Sequence, residues 1–414
     1  MKYRLSRYAI MLGIAFPLLA HQELYAFENT KVLPKGVRNV NVRTLYTQSS
    51  TKTDRNGDVE PLAEPLWRPL RFRNVLSGET GLKRQQLEGL MLQQGWNEET
   101  SLGDFHAQLN AQINVWAPII AYGITDRITL AVAAPVYNAS TDIQGGFTAN
   151  QGAQNLISAL TDPTMNNTQS GIEVAEKLQN AISRLNDKLV DNNFEPLNKW
   201  NHTGLGDITV VAKMLVLDGD FLKGATSLGF NAPTGKVDSP DIMTDLPFGE
   251  GQWDLFGQLT FDQVLFSGIT LNEFVKYTYQ APGERDIRLK TYEETIEVPK
   301  EDTRFKLGDK LEAGTSLQFE QSSTGLIAGL GMQYFRKYSD RYETDLPLVK
   351  QELQRDTAQN AFYWQARIGY TSLPAFQRKE FAVPLIASIE YRQQYESRNS
   401  PRTNFTQLDI GIFF

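Results

Sequence analysis

The 414-residue sequence has no cysteine, three histidines and no surplus of positive charge: 41 Lys and Arg face 48 Asp and Glu, a net charge of -7. The missing thiols exclude disulfide scaffolds, thiolate zinc sites and cysteine nucleophiles. Runs of Lys or Arg never exceed two residues. The broad cationic face that a phosphate backbone demands is therefore lacking, and nucleic acid is excluded as a partner. Beyond the first 26 residues no stretch reaches 18 consecutive apolar residues. That excludes a helical membrane span but leaves open a membrane strand, whose signal is alternation. HExxH and G-x-S-x-G are both absent, as are paired ligands at metal spacing, so no cofactor or metal site and no enzyme is expected.

The N-terminus differs from the rest. Lys2, Arg4 and Arg7 precede an apolar run from Ala9 to Ala20, and a Leu-Tyr-Ala triplet ends at Ala26. This pattern predicts a secretory signal peptide over 1–26, a mature domain over 27–414 and a destination outside the cytoplasm.

The mature chain is organised by a period of two. Phe105, Ala107, Leu109, Ala111, Ile113, Val115, Ala117 and Ile119 alternate with His106, Gln108, Asn110, Gln112, Asn114 and Trp116, which is a strand with one apolar face. Similar stretches recur near 40–47, 105–121, 128–137, 207–217, 224–233, 253–265, 269–281, 309–320, 325–338, 360–371, 381–393 and 404–414, twelve in all. Short links at 123–127, 218–223, 266–268, 321–324 and 372–380 alternate with long ones, of which 48–104 and 138–206 are the longest. Short turns on one side and long loops on the other predict an all-β fold: a transmembrane antiparallel β-barrel of about twelve strands in the bacterial outer membrane. A soluble sandwich would show the same alternation with its apolar face inward. Against it stand the leader, the strand length, and aromatics near strand ends, among them Tyr122, Tyr137, Trp253, Tyr277, Tyr338 and Tyr391.

The two long insertions read as non-strand. Ile172, Ala175, Leu178, Ile182, Leu185 and Leu189 recur at helical spacing across 171–190, and a shorter helical stretch spans Leu82 to Gln94. Both are expected in extracellular loops, as a plug or a surface lid. The acidic stretch Asp54, Asn56, Asp58, Glu60 spaces oxygen ligands two apart, but Val59 and Pro65 stand where a calcium loop needs Gly and Glu, so a solvated turn is expected. Gly229 to Lys236 imitates a phosphate loop with five residues between its glycines instead of four, and Val237 replaces the hydroxyl residue.

Three stretches, YGITDRITLAVAAPV at 122–136, GLGDITVVAKMLV at 204–216 and LGFNAPTGK at 228–236, together resemble the outer-membrane transporter family labelled as the meta-pathway of phenol degradation. The terminal strand, with Leu408, Ile410, Ile412 and Phe414, resembles the insertion signal that barrel-assembly machinery reads. The family resemblance implies a twelve-stranded barrel passing small, often hydrophobic or aromatic, molecules. The helical insertion at 138–206 departs from that pattern and puts a simple open pore in doubt.

If the apolar sets face lipid, the alternate residues line the lumen: Arg43, His106, Gln108, Asn110, Lys213, Asp262, Lys276, Glu312, Arg367, Glu390 and Arg392, with Phe256, Phe274, Phe335 and Tyr363 supplying apolar surface. Across all strands the expected lumenal charges are balanced, seven of each sign, as paired charges bracing a barrel require. An outer-membrane phospholipase is also a twelve-stranded barrel, but its chemistry needs a Ser and His close together toward lipid, and His106 is expected to face inward. The reading is a channel for small molecules, by resemblance hydrophobic or aromatic ones. A porin for hydrophilic solutes and a sealed structural or adhesion barrel are the alternatives. Outer-membrane lipid, the assembly machinery and a small solute are the expected partners, with the oligomeric state open.

Overall fold

A computed structural model describes residues 28–64, 67–77, 79–161, 176, 180–290 and 298–414. The expected signal peptide and most of the 171–190 helix lie outside these residues. Twelve antiparallel strands close into one barrel. They are β1 (Arg38–Ser49), β2 (Ser101–Thr125), β3 (Ile128–Ala133 and Val136–Ala149), β4 (Trp200–Leu205 and Ile208–Asp218), β5 (Leu222–Ala232) and β6 (Asp254–Phe266). The circuit continues through β7 (Ile269–Gln280), β8 (Lys310–Glu320), β9 (Leu326–Lys337), β10 (Gln359–Thr371), β11 (Leu385–Arg398) and β12 (Asn404–Phe413). Closure falls to β1, which pairs with β12 from Asn39↔Phe413 to Gln48↔Asn404 and with β2 from Arg38↔Tyr122 to Ser49↔Ala111. With β1 joined to both neighbours the barrel closes, which removes the open edge that hydrocarbon does not tolerate.

Outward side chains through most of the wall are apolar. Leu255, Leu259 and Phe261 on β6, Leu330 and Met332 on β9, and Leu408, Ile410 and Ile412 on β12 are all exposed. Among the described residues no helix is long and apolar enough to cross a membrane. The molecule is an outer-membrane β-barrel. Tyr122, Trp253, Tyr277 and Tyr338 are exposed near strand ends, as interfacial aromatics should be, whereas Tyr391, also exposed, lies mid-strand on β11.

The long insertions contain strands, contrary to the sequence reading. β2 begins at Ser101, and β3 resumes after Ala134 and Pro135 to run to Ala149, paired to β2 from Gly103↔Ala149 to Trp116↔Val136. Trp200–Leu205 pairs with β3 in turn. These additions lengthen one side of the wall past the membrane. The breaks at Pro135 and Gly206 coincide, joined by Gly206 N donating to Pro135 O at 2.8 Å, and proline has no N–H for the ladder. Further pieces are the hairpin Thr51–Thr53 with Val59–Pro61 and the hairpin Gly283–Arg288 with Lys300–Lys306. Helices α1 (Phe72–Ser77), α2 (Gly81–Gln93), α3 (Gln151–Thr161) and α4 (Ala181–Asp191) fill the two long insertions. Helix α2 matches the expected 82–94 stretch. Leu76, Leu87, Leu102, Ala153 and Leu156 bury its neighbourhood in a small separate core. In the acidic turn, Asp54 Oδ1 accepts the N–H groups of Asn56 at 2.7 Å and Asp58 at 2.9 Å, a self-capped turn.

Candidate functional site: a lumen filled from both ends

The face of β2 is the largest correction to the sequence reading. Its odd residues point inward: Ala107, Leu109, Ala111, Ile113, Val115 and Ala117 are all at most 5 % exposed. Gln108 and Asn110 are exposed on the outer face, and His106 shares that face, half-buried against Gly146. None of the three lines the lumen. The physical reason is height: the upper part of β2 stands above the hydrocarbon, where water is outside and the apolar set turns in. Below it, Trp116, Ile120, Tyr122 and Ile124 carry the lipid-facing set on the even positions.

That apolar lining is the wall of the extracellular half of the lumen. Leu45, Leu109, Ile113, Val115, Tyr137, Phe335, Tyr363 and Phe405 form one buried cluster. Tyr137, expected in the girdle, points inward, 7 % exposed. The loop between β5 and β6 folds down into this cluster and contributes Leu246 and Phe248. Phe248 stacks on Tyr137 with centroids 5.2 Å apart and on His202 at 5.6 Å.

Two sequence motifs meet to hold that loop. Asp207 of GLGD accepts the N–H of Gly235 at 2.9 Å and that of Glu250 at 3.3 Å. Thr234 of PTG donates its hydroxyl to Gly206 O at 2.8 Å, and its oxygen accepts Ile208 N at 3.0 Å. The glycines allow the close approach: a Cβ on Gly206 would lie 2.3 Å from the Tyr137 ring, and one on Gly235 2.5 Å from Phe248 O. The imitation phosphate loop is thus a structural pin. Beneath the loop, Lys310 Nζ lies 3.0 Å from Glu250 and 3.7 Å from Asp254, and Gln280 bonds both carboxylates.

The pin encloses one perturbed acid. Burial pushes the Asp245 carboxyl up to about 7; the Ser239 N–H and Lys236 oppose the rise, and Asp238 adds to it. Asp245 is 5 % exposed, with Lys236 Nζ at 3.6 Å.

The membrane-level half of the lumen is charged. Arg43 pairs with Asp409, which also accepts Gln407 Nε2 at 2.7 Å. Glu390 and Arg392 lie 3.5 Å apart on the same side, with the half-buried Arg367 nearby on β10. Opposite, Lys276 Nζ sits 4.2 Å from the Phe256 ring centre, and Glu312 accepts Gln333 Nε2 at 2.9 Å. Lys213 and Asp262 play a different part: they grip residues 28–37, which enter from the turn side. Thr30 donates both N–H and hydroxyl to Asp262, at 2.8 and 2.6 Å, and Lys213 donates to Asn29 O. Leu33 N reaches Thr129 at 2.7 Å and Lys35 N reaches Asp126 at 2.9 Å. Gly123 of the YGITDR motif makes room for this segment, since a Cβ there would sit 2.0 Å from Pro34 O.

No family model and no curated protein matches the sequence. Among solved structures, the COG4313 outer membrane channel from Pseudomonas putida F1 superposes with a TM-score of 0.54 at 11% identity, over 94% of this chain and 100% of that one. A Pseudomonas aeruginosa FadL homologue aligns over 99% of this chain and 98% of its own at 10% identity, with a TM-score of 0.34. The first likeness shares the fold of a closed barrel.

Proposed function

We propose that the protein is an outer-membrane channel for small apolar or aromatic molecules, with the β5–β6 loop as its gate. One observation carries the reading: the lumen's extracellular half holds a buried apolar cluster into which the loop inserts Phe248, whose backbone N–H donates to Lys236 O at 2.7 Å beside the Asp207 pin. Such a cluster resists ions by dewetting while accepting a solute that needs no hydration shell. The motif resemblance supports it, as does the fold shared with the P. putida outer membrane channel. The outward apolar face of β12 supports insertion through barrel-assembly machinery.

The dense cross-bracing of the charged half favours the second reading, a sealed structural barrel. Planar-bilayer recording of the full-length protein, paired with uptake of a small aromatic compound by cells expressing it, separates the two. Expected are no steady ion steps from the unaltered protein, measurable uptake, and a rise in both on Phe248→Ala. Large ohmic steps without substitution would mean a hydrophilic porin. Absence of uptake in both forms would leave the sealed barrel.

A further inference from the structure

Outside the lumen, where β7, β8 and β9 reach the long-loop side, the outer wall holds a cleft of about 360 Å³ lined by Tyr277, Lys306, Asp309, Tyr338 and Arg341. Tyr277 and Tyr338 follow the outward phase of their strands, beside the inward Thr278 and Lys337. Further down the same face, Val275 and Met332 are exposed and apolar. The cleft therefore lies where the hydrocarbon ends and head groups begin.

We propose that this cleft binds the phosphate-bearing head of an outer-leaflet lipid. Cations are gathered there on aromatic faces: Lys306 Nζ lies 4.6 Å from the Tyr279 ring centre, and the Arg336 guanidinium lies 4.8 Å from that of Tyr338. The one carboxylate in the cleft is already matched. Asp309 accepts Lys306 Nζ at 2.8 Å, the Tyr277 hydroxyl at 2.7 Å and Gln280 N at 3.0 Å. That leaves Arg336 and Arg341, both exposed and, among the described residues, matched to no carboxylate. Two guanidiniums flanking an interfacial cleft present the fork geometry that phosphate oxygens take in pairs. A lipid is favoured over a soluble anion because the tyrosines place the cleft at head-group depth, where an acyl chain continues down the apolar wall.

The test is a titration of the full-length protein in detergent with fluorescent diphosphoryl lipid A, its dephosphorylated form, and inorganic phosphate as competitor. The Arg336→Ser/Arg341→Ser variant is expected to bind the phosphorylated lipid about tenfold more weakly, the loss of at least one charge-assisted contact. The unaltered protein should bind the dephosphorylated lipid with the same loss, which reads the site without a variant. Arg402→Ser, elsewhere on the rim, should change nothing. Equal affinity for the two lipids, or for variant and unaltered protein, overturns the proposal. Displacement by inorganic phosphate at concentrations matching the lipid's would assign the cleft to a free anion and overturn the lipid.

Discussion

The two halves of the lumen are built on opposite rules. Above the membrane, wall and inward loop share an apolar core; within the membrane, the inward residues are charged and hydrogen-bonded. A soluble protein puts apolar residues inside and a membrane barrel puts them outside, and this chain does both along single strands. On β2 the switch falls on the outward, even face, between the polar, half-buried Asn114 and Trp116, 52 % exposed. What changes there is the solvent outside, water above and hydrocarbon below; the β1–β2 ladder runs through the switch, and the β2–β3 ladder is interrupted beside it at Ala134 and Pro135.

The sharpest way to break the comparison is to place a charge on each side of β2 above the switch. Ile113→Asp buries a carboxylate in the apolar half at a site 1 % exposed. It should cost several kcal/mol, about 3 or more, or prevent folding. Gln112→Asp, exposed one residue away, should stay within about 0.5 kcal/mol. Urea unfolding of the barrel in detergent measures both. If Gln112→Asp were the damaging one, the strand would face the other way.

The same switch explains what the sequence could and could not show. All twelve strands were legible, because alternation and turn chemistry are local. The inward phase was legible on β6 to β12, where lipid fixes it: Asp262, Lys276, Glu312, Arg367, Glu390 and Arg392 all turn in. It failed at His106, Gln108 and Asn110, since alternation gives two faces without naming the solvent beside each. The role of Asp207 was out of reach, as its partners are 28 and 43 residues away. So was that of residues 28–37, a short polar segment with no periodicity. The inward loop did leave a trace, Leu246 and Phe248 within a Gly- and Pro-rich stretch.

A second test addresses the charged half. Arg43→Ala leaves Asp409, only 6 % exposed, facing the lumen without its ion-pair partner. Orphaning a buried charge costs roughly 3 kcal/mol, whereas replacing the pair with apolar residues of similar size is close to neutral. Arg43→Met with Asp409→Leu should therefore recover most of the stability lost by Arg43→Ala. A double variant as unstable as the single one would show that the pair is knit into the wider Glu390–Arg392 network and cannot be exchanged alone.

The smallest effect is the most diagnostic of how the halves are joined. Asp245 sits in the loop that closes the apolar half, and burial raises its carboxyl to about 7, against roughly 3.9 when free. The docked loop therefore binds a proton more tightly than the undocked one. Docking is strongest below the free value, weakens as pH climbs from about 4 to about 7, and levels off above. The chain has no cysteine, so two introduced cysteines, one in the loop and one on β3, give a unique spin-label pair. A single short distance at pH 5 and a broadened, longer distribution at pH 8 are expected, and Asp245→Asn should keep the short distance at both. A distribution that ignores pH in the unaltered protein would mean that Lys236 holds Asp245 ionised throughout, making the loop's closure a matter of Phe248, the Asp207 pin and the Arg285 and Arg288 pairs with Asp238 and Asp241.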